Sequence, residues 1–250
     1  MERESKSRPA GRGDEAAVAD GPRRMHWVAF TAPFLVFMAL LALSSFISKF
    51  AGDLGGPETP GWLLQPKYWI FPLQAVVCTL LLAIGWRYYR WNGWRPLVAT
   101  VVGLLVLGIW IAPQWLFGAE PRLIGYDPTL FEDDPAAYWF QVLMRFFRLV
   151  VVVPLLEEIF WRGFLMRWLI NERFTSVEFG RFTWKSFLLT ALLFSLAHAG
   201  PDFAVALITG LIYNALAVWT RSLGACVLAH AVTNLGLGIY IMATRQWGFW

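Results

Sequence analysis

Glu157, Glu158 and Arg162 stand inside the apolar run VVVPLLEEIFWRGFLMRWLI, residues 151–170. This placement restricts the fold more than any other feature of the chain. An ionisable side chain near the centre of a bilayer costs at least about 2.5–3.5 kcal/mol on insertion scales. No polar stripe flanks the three groups to make a solvated helix face. They are tolerable together only if they face a protein interior or a wet cavity and pair with one another. The stretch predicts a polar site enclosed by membrane helices.

Composition agrees. The chain has 250 residues, of which 58% are hydrophobic and only 15% charged, whereas soluble domains are about 45–50% apolar and 25% charged. Several apolar runs approach the roughly 20 residues that span a hydrocarbon core. The expected fold is therefore all-α, a polytopic transmembrane helical bundle of about seven spans. These lie near 27–46, 68–86, 97–117, 149–170, 186–199, 203–220 and 223–243. Residues 1–24, polar and without apolar period, predict a disordered cytoplasmic tail. Residues 25–137 predict accessory transmembrane helices, and 138–250 the motif-bearing core.

Net charge is +4, but the basic residues cluster between apolar runs, which membrane topology explains without nucleic acid. With the amino terminus cytoplasmic and the carboxyl terminus outside, inner segments hold fourteen Lys and Arg against four in outer ones, Lys49, Lys67, Arg122 and Arg245. Cys78 and Cys226 both fall in apolar segments, and no disulfide is expected. The candidate helix 138–170 is longer than a span requires. We expect its first part, with Arg145 and Arg148, at the interface with both side chains snorkelling. The spanning part is then kinked or restarted at Pro154.

The second half carries the residues suited to chemistry. Glu158 and Arg162 are i,i+4 neighbours able to pair. Glu157 is rotated about 100° away and is free to face a cavity as a general base. Phe194 and His198 form FxxxH, and His230 and Asn234 form HxxxN on one helix face. A glutamate, two histidines and an asparagine can hold and deprotonate a water and stabilise an oxyanion. The Tyr213-Asn214 pair reads as an interhelical hydrogen-bonding pair, and Asp202 as the cap of the helix after Gly200-Pro201. There is no HExxH, HxxEH or GxSxG motif.

EExxxR, FxxxH and HxxxN, in this order within apolar helices, resemble the CPBP family of intramembrane proteases. These are the CAAX-processing, type II prenyl endopeptidase-like proteins also called ABI proteins. The stretch EEIFWRGFLMRWLI and the terminal QWGFW further resemble the CAAX prenyl protease-related proteins of bacteria with exosortase and PEP-CTERM sorting systems. The resemblance implies an intramembrane endopeptidase of a bacterial inner membrane, cutting a peptide or lipid-anchored protein substrate, with sorting-system partners. It implies Glu157 as the activator of water, His198 as its holder, His230 and Asn234 as oxyanion partners, and Glu158 and Arg162 as support. Two His and one Glu (Glu157, His198, His230) would also allow Zn²⁺, and a metal-free glutamate and histidine mechanism is equally allowed. The competing readings are a non-catalytic membrane scaffold or immunity-type protein, and a proton relay or transporter.

Overall fold

The computed structural model describes residues 12–54, 62–198 and 200–250. The expected all-α class is what is found: no strand occurs among the described residues. The helices are α1 (Arg12–Leu54), α2 (Lys67–Gly85), α3 (Pro96–Phe117), α4 (Pro135–Trp168), α5 (Trp184–Ala197), α6 (Phe203–Thr220) and α7 (Leu223–Thr244). Six are long and apolar enough to cross a membrane, and α5 is shorter. The chain is a multi-pass membrane protein.

Two boundaries differ from expectation. Residues 12–24, expected as part of a disordered tail, continue α1 toward its amino end; the Ala- and Glu-containing DEAAVAD stretch has good helix formers. The rest of the tail lies outside the described residues. The second difference concerns α4, which does not divide into an interfacial and a spanning piece. It runs unbroken over 34 residues, with π-helical turns at Arg148–Val152 and Ile159–Leu165 on either side of the glutamates.

Pro154 sets the hydrogen bonding just beyond the first π turn. There Val153 N–H bonds the carbonyl of Arg148, five residues back. In that register the next carbonyl, Leu149, would take its bond from residue 154. Proline has no N–H, so the Leu149 carbonyl is left for a side chain from another helix. Widened turns of this kind recur at functional sites.

The bundle has α4 at its centre, against α1, α2, α5 and α7. Helix α3 shows how lipid and protein divide a helix surface. Its buried residues are Ala99, Gly103 and Val106, spaced by four and three along one face. Leu97, Trp115 and Phe117 are exposed on the rest, as the lipid-facing surface of a spanning helix is. Gly103 is required by close approach, because a Cβ there would meet the Ala229 carbonyl oxygen at 2.5 Å.

His26 and Phe30 of α1, the 86–95 and 169–183 loops and the Arg221-Ser222 turn share one end of the bundle. Together they line a cavity of about 480 Å³ that includes His26, Arg90, Arg167 and Arg221. The opposite, carboxyl end joins the 118–134 loop to the end of α7. There Gly248 N–H bonds the Arg122 carbonyl at 2.9 Å, and Lys67 Nζ bonds that of Gly125 at 2.6 Å. Caps follow side-chain chemistry at Thr183 and Ser222, whose hydroxyls accept from Ser186 N–H and Ala225 N–H. Asp202 does not cap α6. Its carboxylate is drawn to the Arg122 guanidinium at 2.6 Å, a full charge across the bundle end.

Candidate active site

The first π turn and the segment after it aim three side chains of α4 inward, and α5, α6 and α7 supply their partners. Arg162 is 1% exposed and Glu158 is fully buried. Arg162 spends each nitrogen: Nη1 on Glu158 Oε1 at 2.9 Å, Nε on Asn214 Oδ1 at 3.0 Å, and Nη2 on the Gly210 carbonyl at 3.4 Å. The rings of Phe194 and Tyr213 lie 5.0 and 5.4 Å from its guanidinium carbon. The expected Glu158–Arg162 pair forms. Asn214 is the interhelical bonding residue anticipated, and its Nδ2 reaches the Phe187 carbonyl at 2.8 Å.

His230 joins the same carboxylate. Its Nδ1 lies 2.9 Å from Glu158 Oε1. A carboxylate only accepts, so Nδ1 carries a proton and Nε2 is the nitrogen left for chemistry. His198 is set up in the same sense. It ends α5, half-buried, with Nδ1 2.9 Å from the Phe194 carbonyl, which again fixes the proton on Nδ1. Phe194 is the link between the two halves, since its ring packs on His198 and also faces Arg162. Trp110 of α3, which no sequence motif marks, also packs edge-on against His198 and is held by Thr209 Oγ1 at 3.1 Å.

Asn234 is 8% exposed, and its Nδ2 bonds the Leu149 carbonyl at 2.8 Å, the carbonyl released by Pro154. One of its two amide protons is thus committed to α4 and the other is not. His230 and Asn234 share a face of α7, as their spacing predicted, and both turn it toward α4. Behind them, Tyr213 and Thr233 hydroxyls lie 2.8 Å apart, and Thr233 also reaches the Gly103 carbonyl at 2.7 Å. This ties α3, α6 and α7 into one layer behind the site.

Glu157 is the exception. It is 6% exposed, yet neither carboxylate oxygen is hydrogen-bonded to any described residue, and Oε2 is buried. Its charge interacts with that of Arg148. The two adjacent glutamates therefore differ in degree: Glu158 Oε1 takes two bonds and its buried Oε2 none, whereas Glu157 takes none at either oxygen. Glu158 is tied by a salt bridge and a histidine, and Glu157 keeps its acceptor capacity uncommitted. No hydrogen bond or ion pair joins Glu157, His198 or Asn234 directly to the Glu158–Arg162–His230 core.

The histidine tautomers would suit a metal, since both offer Nε2 with the other nitrogen tied to a carboxylate or carbonyl. The arrangement does not: among the described residues no three His, Cys, Asp or Glu are grouped to hold a metal ion. Glu157, His198 and His230 do not form a ligand set in this conformation.

Arg145 and Arg148 depart from expectation. They do not snorkel; they are 3% and 6% exposed. The helix period carries the signal, since Gln141, Arg145, Arg148 and Val152 fall on one stripe at spacings of four, three and four, and all four are buried.

Residues 139–236 match the family model described as Type II CAAX prenyl endopeptidase Rce1-like. The matched segment holds all three motifs and runs from the first turns of α4 to the middle of α7. The likeness to the CAAX-processing protease family extends over this segment, less than half of the chain. No curated protein and no solved structure matches the chain.

Proposed function

We propose that the chain is an intramembrane endopeptidase that hydrolyses a peptide bond of a membrane-anchored protein, with Glu157 as the base. The observation that carries this is the contrast between the glutamates: Glu158 Oε1 takes bonds from both Arg162 and His230, its buried Oε2 taking none, while neither oxygen of the buried Glu157 carboxylate has a protein donor. A carboxylate so placed is available to a water. The water donates one hydrogen bond to Glu157 and the other to His198 Nε2, leaving an oxygen lone pair for the scissile carbonyl carbon. Glu157 takes the proton as the C–O bond forms, and returns it to the leaving amine as the C–N bond breaks. The uncommitted amide proton of Asn234 donates to the oxyanion. His230 keeps Nδ1–H on Glu158 and so holds the HxxxN face of α7, and Asn234 with it, toward the same oxygen.

No metal is needed for these steps. Zn²⁺ is the alternative for the same residues, and their present spacing does not favour it. The basic inner segments support a cytoplasmic amino terminus in this proposal. The EEIFWRGFLMRWLI and QWGFW stretches support a bacterial inner membrane and a role beside an exosortase-type sorting system.

The test is cleavage of a lipid-anchored peptide reporter by the chain in proteoliposomes. Glu157→Gln should lower the rate by about 10²–10⁴ with an unchanged unfolding temperature, since no protein hydrogen bond is lost. A chelator such as 1,10-phenanthroline should leave the parent active. Retained cleavage by Glu157→Gln removes Glu157 from the role, and inhibition reversed by added Zn²⁺ restores the metal route. A destabilised Glu157 variant of a parent that hydrolyses nothing would identify a structural polar network instead.

A further inference from the structure

The cavity of about 480 Å³ between the 86–95 and 169–183 loops gathers charge of one sign. Arg90, Arg167 and Arg221 line it, and Glu178 is the one carboxylate among the described residues that do. Glu178 lies 3.5 Å from Arg221, both side chains largely exposed. Neither Arg90 nor Arg167 has a carboxylate at ion-pair distance among the described residues. Their two guanidinium groups repel one another.

Arg167 is held in place by the chain itself. Its Nε–H donates to the Val177 carbonyl at 2.8 Å and its Nη1–H to that of Gly163 at 3.0 Å. The Phe174 ring lies 5.5 Å from its guanidinium carbon. Nη2 is the nitrogen left over. Gly163 belongs to the second π turn, next to Arg162, so this cation is fastened to the segment that carries the partner of Glu158. Asn92 and Thr175 also line the cavity, and neither side chain bonds a described residue. Guanidinium groups with neutral donors around one space match a phosphate, and the volume is within the roughly 300–1,000 Å³ of small-ligand pockets. The surroundings bear on which phosphate. Trp27, Trp86, Trp94 and Trp168 are exposed at this end of the bundle, and Trp is enriched at the depth of lipid headgroups.

We propose that this cavity binds the phosphodiester of an anionic phospholipid headgroup, held by Arg90 and by Nη2 of Arg167. Asn92 and Thr175 donate to the phosphate oxygens that the arginines leave. The headgroup neutralises the two cations that lack a carboxylate and joins the 86–95 loop to the end of α4 and the 169–183 loop. Glu178 opposes it, and Arg221 offsets that carboxylate. A zwitterionic headgroup carries the same phosphate but brings an amine that the arginines repel, so the site selects lipids of net negative charge.

The test follows the unfolding temperature of the full chain in an uncharged detergent as short-chain lipid is added. Dioctanoyl phosphatidylglycerol should raise it, with a half-saturating concentration at least about tenfold below that of dioctanoyl phosphatidylcholine. Arg90 is exposed on its loop, so Arg90→Gln leaves the fold intact. It should raise the phosphatidylglycerol half-point about fivefold, the worth of one basic residue at an anionic surface. Glu178→Gln should shift the half-point the other way, by roughly two- to fivefold, because the opposing charge is gone. Arg173→Gln removes an equal charge from the same loop but outside the cavity, and should change the half-point by less than about twofold. Equal half-points for the two lipids overturn the site. Equal weakening by Arg90→Gln and Arg173→Gln overturns it as well and leaves only diffuse attraction to a basic surface. If glycerol 3-phosphate saturates at the same concentration as phosphatidylglycerol, the lipid is overturned and a soluble phosphate ester is the ligand.

Discussion

Arg162 and Arg145 sit seventeen residues apart on α4 and are almost equally buried, at 1% and 3%. Arg162 has a partner for each of its nitrogens, among them the carboxylate of Glu158. Arg145 has three aromatic rings and no acceptor for Nε or Nη1. The glutamates repeat the division, Glu158 bonded and Glu157 not. Bonded groups such as Arg162, and Glu158 through its Oε1, hold helices in place. Groups left with unused donors or acceptors, such as Arg145 and Glu157, are those able to meet something from outside the chain. Burial alone does not separate the two kinds; the hydrogen-bond count does.

The sharpest way to break this comparison is to remove each arginine in turn. Arg162→Met strips the guanidinium from the buried Glu158 carboxylate, for which about 3–5 kcal/mol of destabilisation is expected. Arg145→Met removes a charge that has no counter-ion and leaves an apolar chain among three rings. Its desolvation cost disappears together with its ring contacts, so the unfolding temperature should hold or rise. Thermal unfolding of both variants in the same detergent decides the matter. Equal losses would mean that the Arg145 ring box is as structural as the Arg162 network.

A smaller effect is expected at Asn234. Its amide replaces the proton that Pro154 cannot give to the Leu149 carbonyl. Asn234→Ala leaves that carbonyl buried and unpaired, at a cost of about 1–3 kcal/mol. Adding Pro154→Ala restores a backbone donor, so the double variant should recover part of the loss. Simple additivity of the two changes would sever the link between the π turn and the HxxxN motif.

Much of this was legible in the sequence for local reasons. Apolar runs of sufficient length set α2, α3, α5, α6 and α7 to within a few residues, and i,i+4 geometry set the Glu158–Arg162 pair and the common face of His230 and Asn234. What was not legible depends on residues far apart in the chain. Snorkelling is the local option for Arg145 and Arg148. It loses to burial because Phe37, Phe71, Gln74, Tyr126 and Trp250 arrive from other segments. Capping is the local option for Asp202, and it loses to Arg122, eighty residues earlier. The π turns were hidden because a proline in a long helix reads as a kink. Here the extra residue per turn and a side chain from α7 absorb it. The partner of His230 could not be chosen either, since adjacent glutamates on one helix offer two candidates.

The Arg122–Asp202 pair is the weakest arm of the comparison and a control on it. Its contact is short, 2.6 Å, but Asp202 Oδ1 makes no aligned hydrogen bond. Both side chains are about a quarter exposed, at 24% and 27%, where screening limits an ion pair to about 0–1 kcal/mol. Arg122 does not depend on Asp202 for its position. Its guanidinium lies 4.4 Å from the Phe249 ring centre, its carbonyl takes Gly248 N–H, and its own N–H goes to Gln246 Oε1. Asp202→Asn should therefore lower the unfolding temperature by no more than about 2–4 °C, and by less at high salt. A loss that matches Arg162→Met and resists salt would show that this partly exposed pair belongs with the saturated interior network. Exposure would then no longer separate the structural charges of this bundle from the dispensable ones.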